Sequence, residues 1–340
     1  MAASVGQQHT EEMVTYTRML IPLDGSTVAE QVLPYARYLA GKLKIPVELL
    51  GVVDLVRMAA SMRGENSRNL DIFIANNVRH SETYLEKISK TFPAMAVQRS
   101  VEKGTPEEMV IEKAAADRGT LIAMATHGRS GLNRWLLGSV TEKVLRGTTN
   151  PLFLVRAREG GKSEGEKTIK RIIVPLDGSP LAEKVLPHLT ALAKATAFET
   201  VLLRAYALRQ VISTYEDYIP DWDILEAEAR GEAMNYLDNK IRELKSAGLV
   251  DVSSRASDRE TAEEIIDVAN ESPNSMIAMC THGRSGVKRW LLGSVTEKVV
   301  RHSSSPVLVI SARGKPAIHG DAKVSEPIDE MRDFLKYSID

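Results

Sequence analysis

Residues 126–146 read THGRSGLNRWLLGSVTEKVLR, and residues 281–301 read THGRSGVKRWLLGSVTEKVVR. This stretch decides the architecture because the chain carries it twice. The copies differ only at Leu132/Val287, Asn133/Lys288 and Leu145/Val300. Two of the differences exchange apolar side chains of similar volume, which packing tolerates. What stays identical includes glycines, hydroxyls, arginines and a histidine, which a hydrophobic core alone does not require. Each copy follows an apolar run, residues 121–124 or 276–279, with the character of a buried parallel strand.

Within the cassette, Gly128 falls at the strand end, and Gly138 and Ser139 follow at the opening of a helix. Gly283, Gly293 and Ser294 repeat that spacing. Glycines at both ends allow positive φ and let backbone N–H groups approach a ligand closely. Ser139 and Ser294 have the chemistry of N-caps, and a helix start offers unpaired N–H donors with partial positive charge. The combination predicts an anion site suited to phosphate. Arg129 and Arg134, repeated as Arg284 and Arg289, would add charge. The competing reading is a simple helix cap with arginines facing water. The duplication weighs against it.

Working outward from the first copy, residues 18–26 predict a short strand ending in Asp24-Gly25-Ser26, and residues 28–43 an amphipathic helix. Strand 45–53, a mostly helical segment 63–90 and strand 94–101 follow. Gly104-Thr105-Pro106 turns into a helix with Thr105 as cap, Pro106 at its first position and Glu108 as capping-box partner. Residues 151–155 close the unit as a fifth strand. Strand–helix alternation of this kind predicts a parallel sheet covered on both faces. The pattern then restarts: residues 172–193, IIVPLDGSPLAEKVLPHLTALA, match residues 19–40, MLIPLDGSTVAEQVLPYARYLA. Asp24 and Asp177 lie 153 positions apart, and Gly138 and Gly293 lie 155 apart. Near-equal offsets mean duplication of a whole domain.

The expected organisation is a loosely ordered segment 1–16, a domain 17–156, a linker 157–169, a domain 170–312 and a charged tail 313–340. The tail should carry a short helix with Ile328, Met331, Phe334 and Leu335 on one stripe. Composition agrees with a globular chain: 43% hydrophobic, 26% charged and a net charge of −1. So even a balance argues against bulk electrostatic binding to nucleic acid or anionic membrane. One cysteine, Cys280, no membrane-length apolar run and no signal-like N-terminus together predict a soluble, cytoplasmic protein.

In a doubly wound sheet, ligands bind beyond the strand C-termini where strand order reverses. If the first and fourth strands are neighbours, Asp24 faces the Gly-Ser helix start across that crevice. A carboxylate there would repel phosphate but suits a ribose hydroxyl or an adenine amino group, which predicts a nucleotide site. The alternative for Asp24 is an Asx turn within Asp-Gly-Ser.

The DGS turn, the THGRSG segment and the G-x9-GS spacing resemble the universal stress protein family, here in tandem over about residues 17–156 and 170–312. The resemblance implies an α/β fold of two doubly wound domains, each a five-stranded parallel sheet of order 3-2-1-4-5. It further implies an ATP site of the subclass bearing G-x2-G-x9-G-S/T. Carried over, Asp24 and Val52 would contact the nucleoside, and Gly128, Gly138, Ser139 and Val140 the phosphates. Asp177, Ala205, Gly283, Gly293, Ser294 and Val295 would do so in the second half. Ala125 and Cys280 stand where the pattern has its first glycine, which weakens that contact. His127, His282, Arg129, Arg284 and the Gly104 turn complete the expected site. The implied ligand is ATP, with AMP or ADP as alternatives and Mg2+ carried on the phosphates.

An enzyme is a weaker reading. His127 and His282 are better suited as hydrogen-bonding struts than as general bases. G-x-S-x-G, Walker and G-x-G-x-x-G sequences are absent, so efficient turnover is not expected, and slow ATP hydrolysis is the most that is predicted. Trp135 and Trp290 read as packing residues. The remaining alternative is an interaction scaffold with structural nucleotide. Apolar fifth strands at sheet edges invite pairing, so the two halves should join there as an intrachain pseudo-dimer, with a homodimer as a further possibility. The combined expectation is an ATP-binding stress-response protein whose occupancy regulates conformation or partner choice.

Overall fold

The structure, a computed structural model, describes residues 14–61, 70–126, 137–157, 160–161, 165–206, 221–282 and 292–313. The first half contributes strands β1 (Arg18–Pro22), β2 (Val47–Val53), β3 (Val97–Lys103), β4 (Thr120–Ala125) and β5 (Leu152–Val155). Its helices are α1 (Leu33–Leu43), entered through a 3-10 turn, α2 (Leu55–Ser61), α3 (Leu70–Ser89), α4 (Pro106–Ala115) and α5 (Ser139–Gly147). The second half repeats the plan with β6 (Arg171–Pro175), β7 (Glu199–Ala205), β8 (Val252–Ser257), β9 (Ser275–Cys280) and β10 (Val307–Ile310). Its helices are α6 (Pro180–Glu183), α7 (Leu186–Ala195), α8 (Trp222–Ser246), α9 (Thr261–Asn270) and α10 (Ser294–His302).

All ten strands form one sheet of order β3-β2-β1-β4-β5-β10-β9-β6-β7-β8. Each half is parallel in the expected 3-2-1-4-5 order, and β5 meets β10 antiparallel with Phe153 opposite Leu308. The apolar edges predicted to pair therefore cover one another. Strands buried on both faces read as continuous apolar runs; every residue of β4, β5, β9 and β10 is buried. The outer edges β3 (VQRSVEK) and β8 (VSSRAS) are polar and half-exposed, which discourages further pairing. Residues from α1, α3, α7 and α8 fill the core on one face, and residues from α4, α5, α9 and α10 fill the other.

Several local expectations need correction. Val14 and Tyr16 are buried, so order begins before residue 17. The Tyr16 hydroxyl lies 2.9 Å from Nδ1 of His188 in the other half. β3 starts three residues later than predicted because Ala94 adopts φ +57° and ends the preceding turn. Thr105 occupies the N-cap position of α4 but its side chain makes no capping bond. The helix predicted over 63–90 comprises α3 and is preceded by α2; residues 62–69 lie outside the described residues, as does the predicted C-terminal helix.

Candidate nucleotide site

β1 and β4 are neighbours, as are β6 and β9, so the DGS turns and the cassettes open on the same strand-end crevice. The turns are built first. Oδ1 of Asp24 accepts the Ser26 N–H at 3.0 Å and the Ser26 hydroxyl at 2.6 Å. Oδ1 of Asp177 accepts the Ser179 N–H at 2.9 Å. Gly25 and Gly178 sit at φ +79° and +85°, where a Cβ would be strained. Ser179 then caps α6 by accepting the Ala182 N–H. The Asx turn that competed with a ligand role is thus present, and it fixes where each carboxylate points.

On the facing side, the neck of each cassette is closed by one backbone bond. The Gly138 N–H donates to the Thr126 carbonyl at 2.7 Å, and the Gly293 N–H to the Thr281 carbonyl at 2.9 Å. The glycines and serines take different parts here from those their residue types suggest. Gly138 and Gly293 have φ −59°, so positive φ is not their requirement. Space is: a Cβ on Gly293 would come within 2.8 Å of the Thr281 carbonyl oxygen. Ser139 and Ser294 are also not caps, because the glycines hold the N-cap positions and the serines are the first helical residues. The helix starts nonetheless carry the open N–H groups that every helix N-terminus has, with their partial positive charge.

Two residues missed in the sequence hold these helices in place. Thr141 donates its hydroxyl to the Ala125 carbonyl at 3.0 Å, and Thr296 to the Cys280 carbonyl at 2.8 Å. A buried hydroxyl at the same place in both cassettes was the available signal.

In the second half a cavity of about 740 Å³ opens between these parts. Asp177, Ala205, Cys280, His282, Gly293, Ser294 and Val295 all line it, seven of the expected site residues. Thr261 lines it too, so the turn before α9 borders the crevice. Glu260 beside it is held by Lys298 at 2.6 Å, which offsets its charge. Its counterpart Gly104 needs φ +151°, whereas Glu260 has φ −57°, so the two turns differ in backbone as well as charge.

His282 is buried, with Nδ1 3.0 Å from the Thr281 hydroxyl, which in turn accepts the Ala312 N–H at 2.9 Å. That network suits a strut. Burial pushes the Cys280 thiol up to about 12, so the thiolate is absent near neutrality. Its Sγ faces the Ala182 carbonyl. In the first half, Val52 is half-buried on the core, Ser139 is exposed and Val140 half-buried at the α5 start. His127, Gly128, Arg129, Arg134, Trp135, Gly283, Arg284, Arg289 and Trp290 lie outside the described residues.

A further missed residue is Arg204, which lines the cavity beside Ala205. It is 8% exposed, and its guanidinium lies 4.5 Å over the Tyr236 ring. Strand register equates it with Gly51 of the first half. A charged residue inside the buried run VLLRA was the signal. Among the described residues, no group of three or more His, Cys, Asp or Glu is arranged to hold a metal, and no helix is long and apolar enough to cross a membrane.

The profile of the Universal stress protein family matches residues 15–156 and again residues 168–311. The chain belongs to the universal stress protein family. A universal stress protein of Methanocaldococcus jannaschii is 30% identical over 156 residues, covering 42% of this chain and 96% of that protein. One from Mycolicibacterium smegmatis is 21% identical over 303 residues, covering 87% of this chain and 97% of its own. Among solved structures, a universal stress protein of Archaeoglobus fulgidus superposes with TM-score 0.61 at 21% identity, over 88% of this chain and 97% of that one. That likeness establishes the tandem universal stress protein fold across both halves.

Proposed function

We propose that this universal stress protein binds nucleotide in the strand-end crevice of each half, with ATP as the ligand the family motif implies, and that occupancy regulates its conformation or choice of partner. One observation carries the reading: the 740 Å³ cavity in the second half is lined by both Asp177 and the Gly293-Ser294 helix start. Its size lies within the range of small-ligand sites, about 300–1,000 Å³. An anion at the α10 start would receive open N–H groups and the positive end of the helix dipole. Asp177 would repel that anion, and so suits the nucleoside's hydroxyl or amino donors. In this reading Asp24, Val52, Gly138, Ser139 and Val140 serve the first half as Asp177, Ala205, Gly293, Ser294 and Val295 serve the second. Mg2+ would ride on the phosphates. No residue is assigned a catalytic role.

The test is chemical. Protein purified without denaturation and then extracted with acid should release adenine nucleotide identifiable by mass spectrometry, or should take it up on incubation. Absence of both would contradict the proposal.

A further inference from the structure

Among the described residues, Arg204 is a charged side chain of the second-half crevice whose first-half counterpart is a glycine, Gly51. Its side chain is more than nine-tenths buried, yet among the described residues its only ion pair is 3.8 Å from Glu232, whose own side chain is 81% exposed. A guanidinium carries five N–H donors, and no Arg204 nitrogen is fully buried without a partner, so the donors that Glu232 does not engage face the cavity. No described side chain accepts a hydrogen bond from them, and they line an open cavity.

The guanidinium is also held still. It stacks on Tyr236, whose hydroxyl donates to Glu183 at 2.8 Å, and Lys240 pairs with Glu183 at 3.0 Å. A Cβ on Gly178 would come within 3.3 Å of Nη2, so the fork lies directly under the DGS turn, next to Asp177. The first half has the same Tyr–Glu support, Tyr84 on Glu30 at 3.0 Å. Gly51 stands in the place of Arg204, and the Ser81 hydroxyl of α3 occupies the space a side chain would need. Arg204 is a wall of the cavity and does not plug it: a volume of about 740 Å³ remains with the side chain in place.

We infer that Arg204 gives the second-half crevice a ligand preference the first half lacks: at the nucleoside end its fixed fork takes two adjacent in-plane acceptors, from the O6/N7 edge of guanine or from a phosphate carried on the ribose. The inference rests on the nucleotide reading above. Adenine fits the fork poorly, since its N6 amino group is a donor beside N7, whereas guanine presents O6 and N7 as acceptors together. A phosphate matches the same fork bidentately.

The test is equilibrium dialysis of the full chain with ATP, GTP and an adenosine bisphosphate carrying one phosphate on the ribose, using wild type, Arg204→Met and Arg204→Lys. In wild type, one site per chain should bind GTP or the bisphosphate at least about tenfold more tightly than it binds ATP. Arg204→Met should erase that preference while ATP uptake by the first half, the internal control for folding, persists. Arg204→Lys should keep part of a ribose-phosphate preference and lose a guanine preference, because lysine is a point charge without the planar fork. If Arg204→Met also loses first-half binding, Arg204→Lys decides. ATP preferred at every wild-type site, or a preference untouched by removing Arg204, overturns this inference alone. A wild-type chain that takes up none of the three overturns the nucleotide reading and this one with it.

Discussion

The two halves share a topology and nearly identical cassettes, yet diverge where the second strand of each ends. In the first half Gly51 lets α3 approach until Ser81 occupies the side-chain space; in the second, Arg204 fills it and stacks on α8. One position beyond, Val52 becomes Ala205 on the expected wall for the base. A third divergence lies away from the crevice, where Tyr35 packs on Phe153 while the corresponding His188 bonds Tyr16 across the two halves. Duplication has therefore kept the Gly-Ser helix starts and varied the ends of the second strands and the joint between halves. The comparison teaches that identical cassettes do not make identical sites.

The largest effect expected from these differences is on acid stability. Burial lowers His188 from its ordinary 6.5 to about 4, so folding favours the neutral ring. Its contribution is intact above pH 6.5 and lost as pH falls from 6.5 towards 4, a cost of about 3 kcal/mol. Denaturant titrations across that window should show the loss in wild type and a smaller one in His188→Phe. Tyr35 has no charge to gain there, so Tyr35→Phe should leave the pH profile unchanged. Identical profiles for His188→Phe and wild type would remove this difference between the halves.

Next in size is Gly293→Val. The added side chain meets the Thr281 backbone carbonyl, which cannot swing aside as a flexible side chain can. We expect a loss of about 1–3 kcal/mol in stability, together with ligand binding in the second half. Gly138→Val should behave alike, given the same φ and the same neck bond. A large difference between the two would mean that the cassettes are less equivalent than their sequences.

A smaller effect is predicted at the base wall. Val52→Ala should weaken first-half ATP binding by about 1 kcal/mol, and Ala205→Val should strengthen second-half ATP binding by a similar amount. Competition titrations with each variant would check both. No change in either would move the base away from these positions.

Much of the fold was legible because its signals are local and repeated. Buried parallel strands appear as unbroken apolar runs, and the DGS turns carry glycines whose positive φ follows from residue type. The joining of halves followed from LFLV and VLVI, two apolar strands that needed cover. What was misread depends on distances that sequence does not carry. Gly138 and Gly293 invite a φ argument, but both have negative φ, and at Gly293 the need arises from the Thr281 carbonyl at the neck of the same loop. Ser139 and Ser294 look like caps because serine often is one; the preceding glycine takes the position, and Thr141 and Thr296 tie the helix to the strand instead. Arg204 was overlooked because it sits inside an apolar run, and only strand register sets it opposite Gly51.

The central claim, nucleotide at the strand-end crevices, is tested most directly by isothermal titration of nucleotide-free protein with ATP, with Ser139→Asp and Ser294→Asp alongside wild type. An acidic residue in the first helical turn favours the helix through its dipole, so both variants should keep or gain thermal stability. The same carboxylate would occupy and repel the phosphate position. Wild type should release heat and melt at a higher temperature with ATP, and each variant should lose more than about 1.4 kcal/mol, a factor of ten in affinity, in its own half. No heat and no stabilisation at millimolar ATP in wild type, or unchanged binding in both variants, would contradict the account.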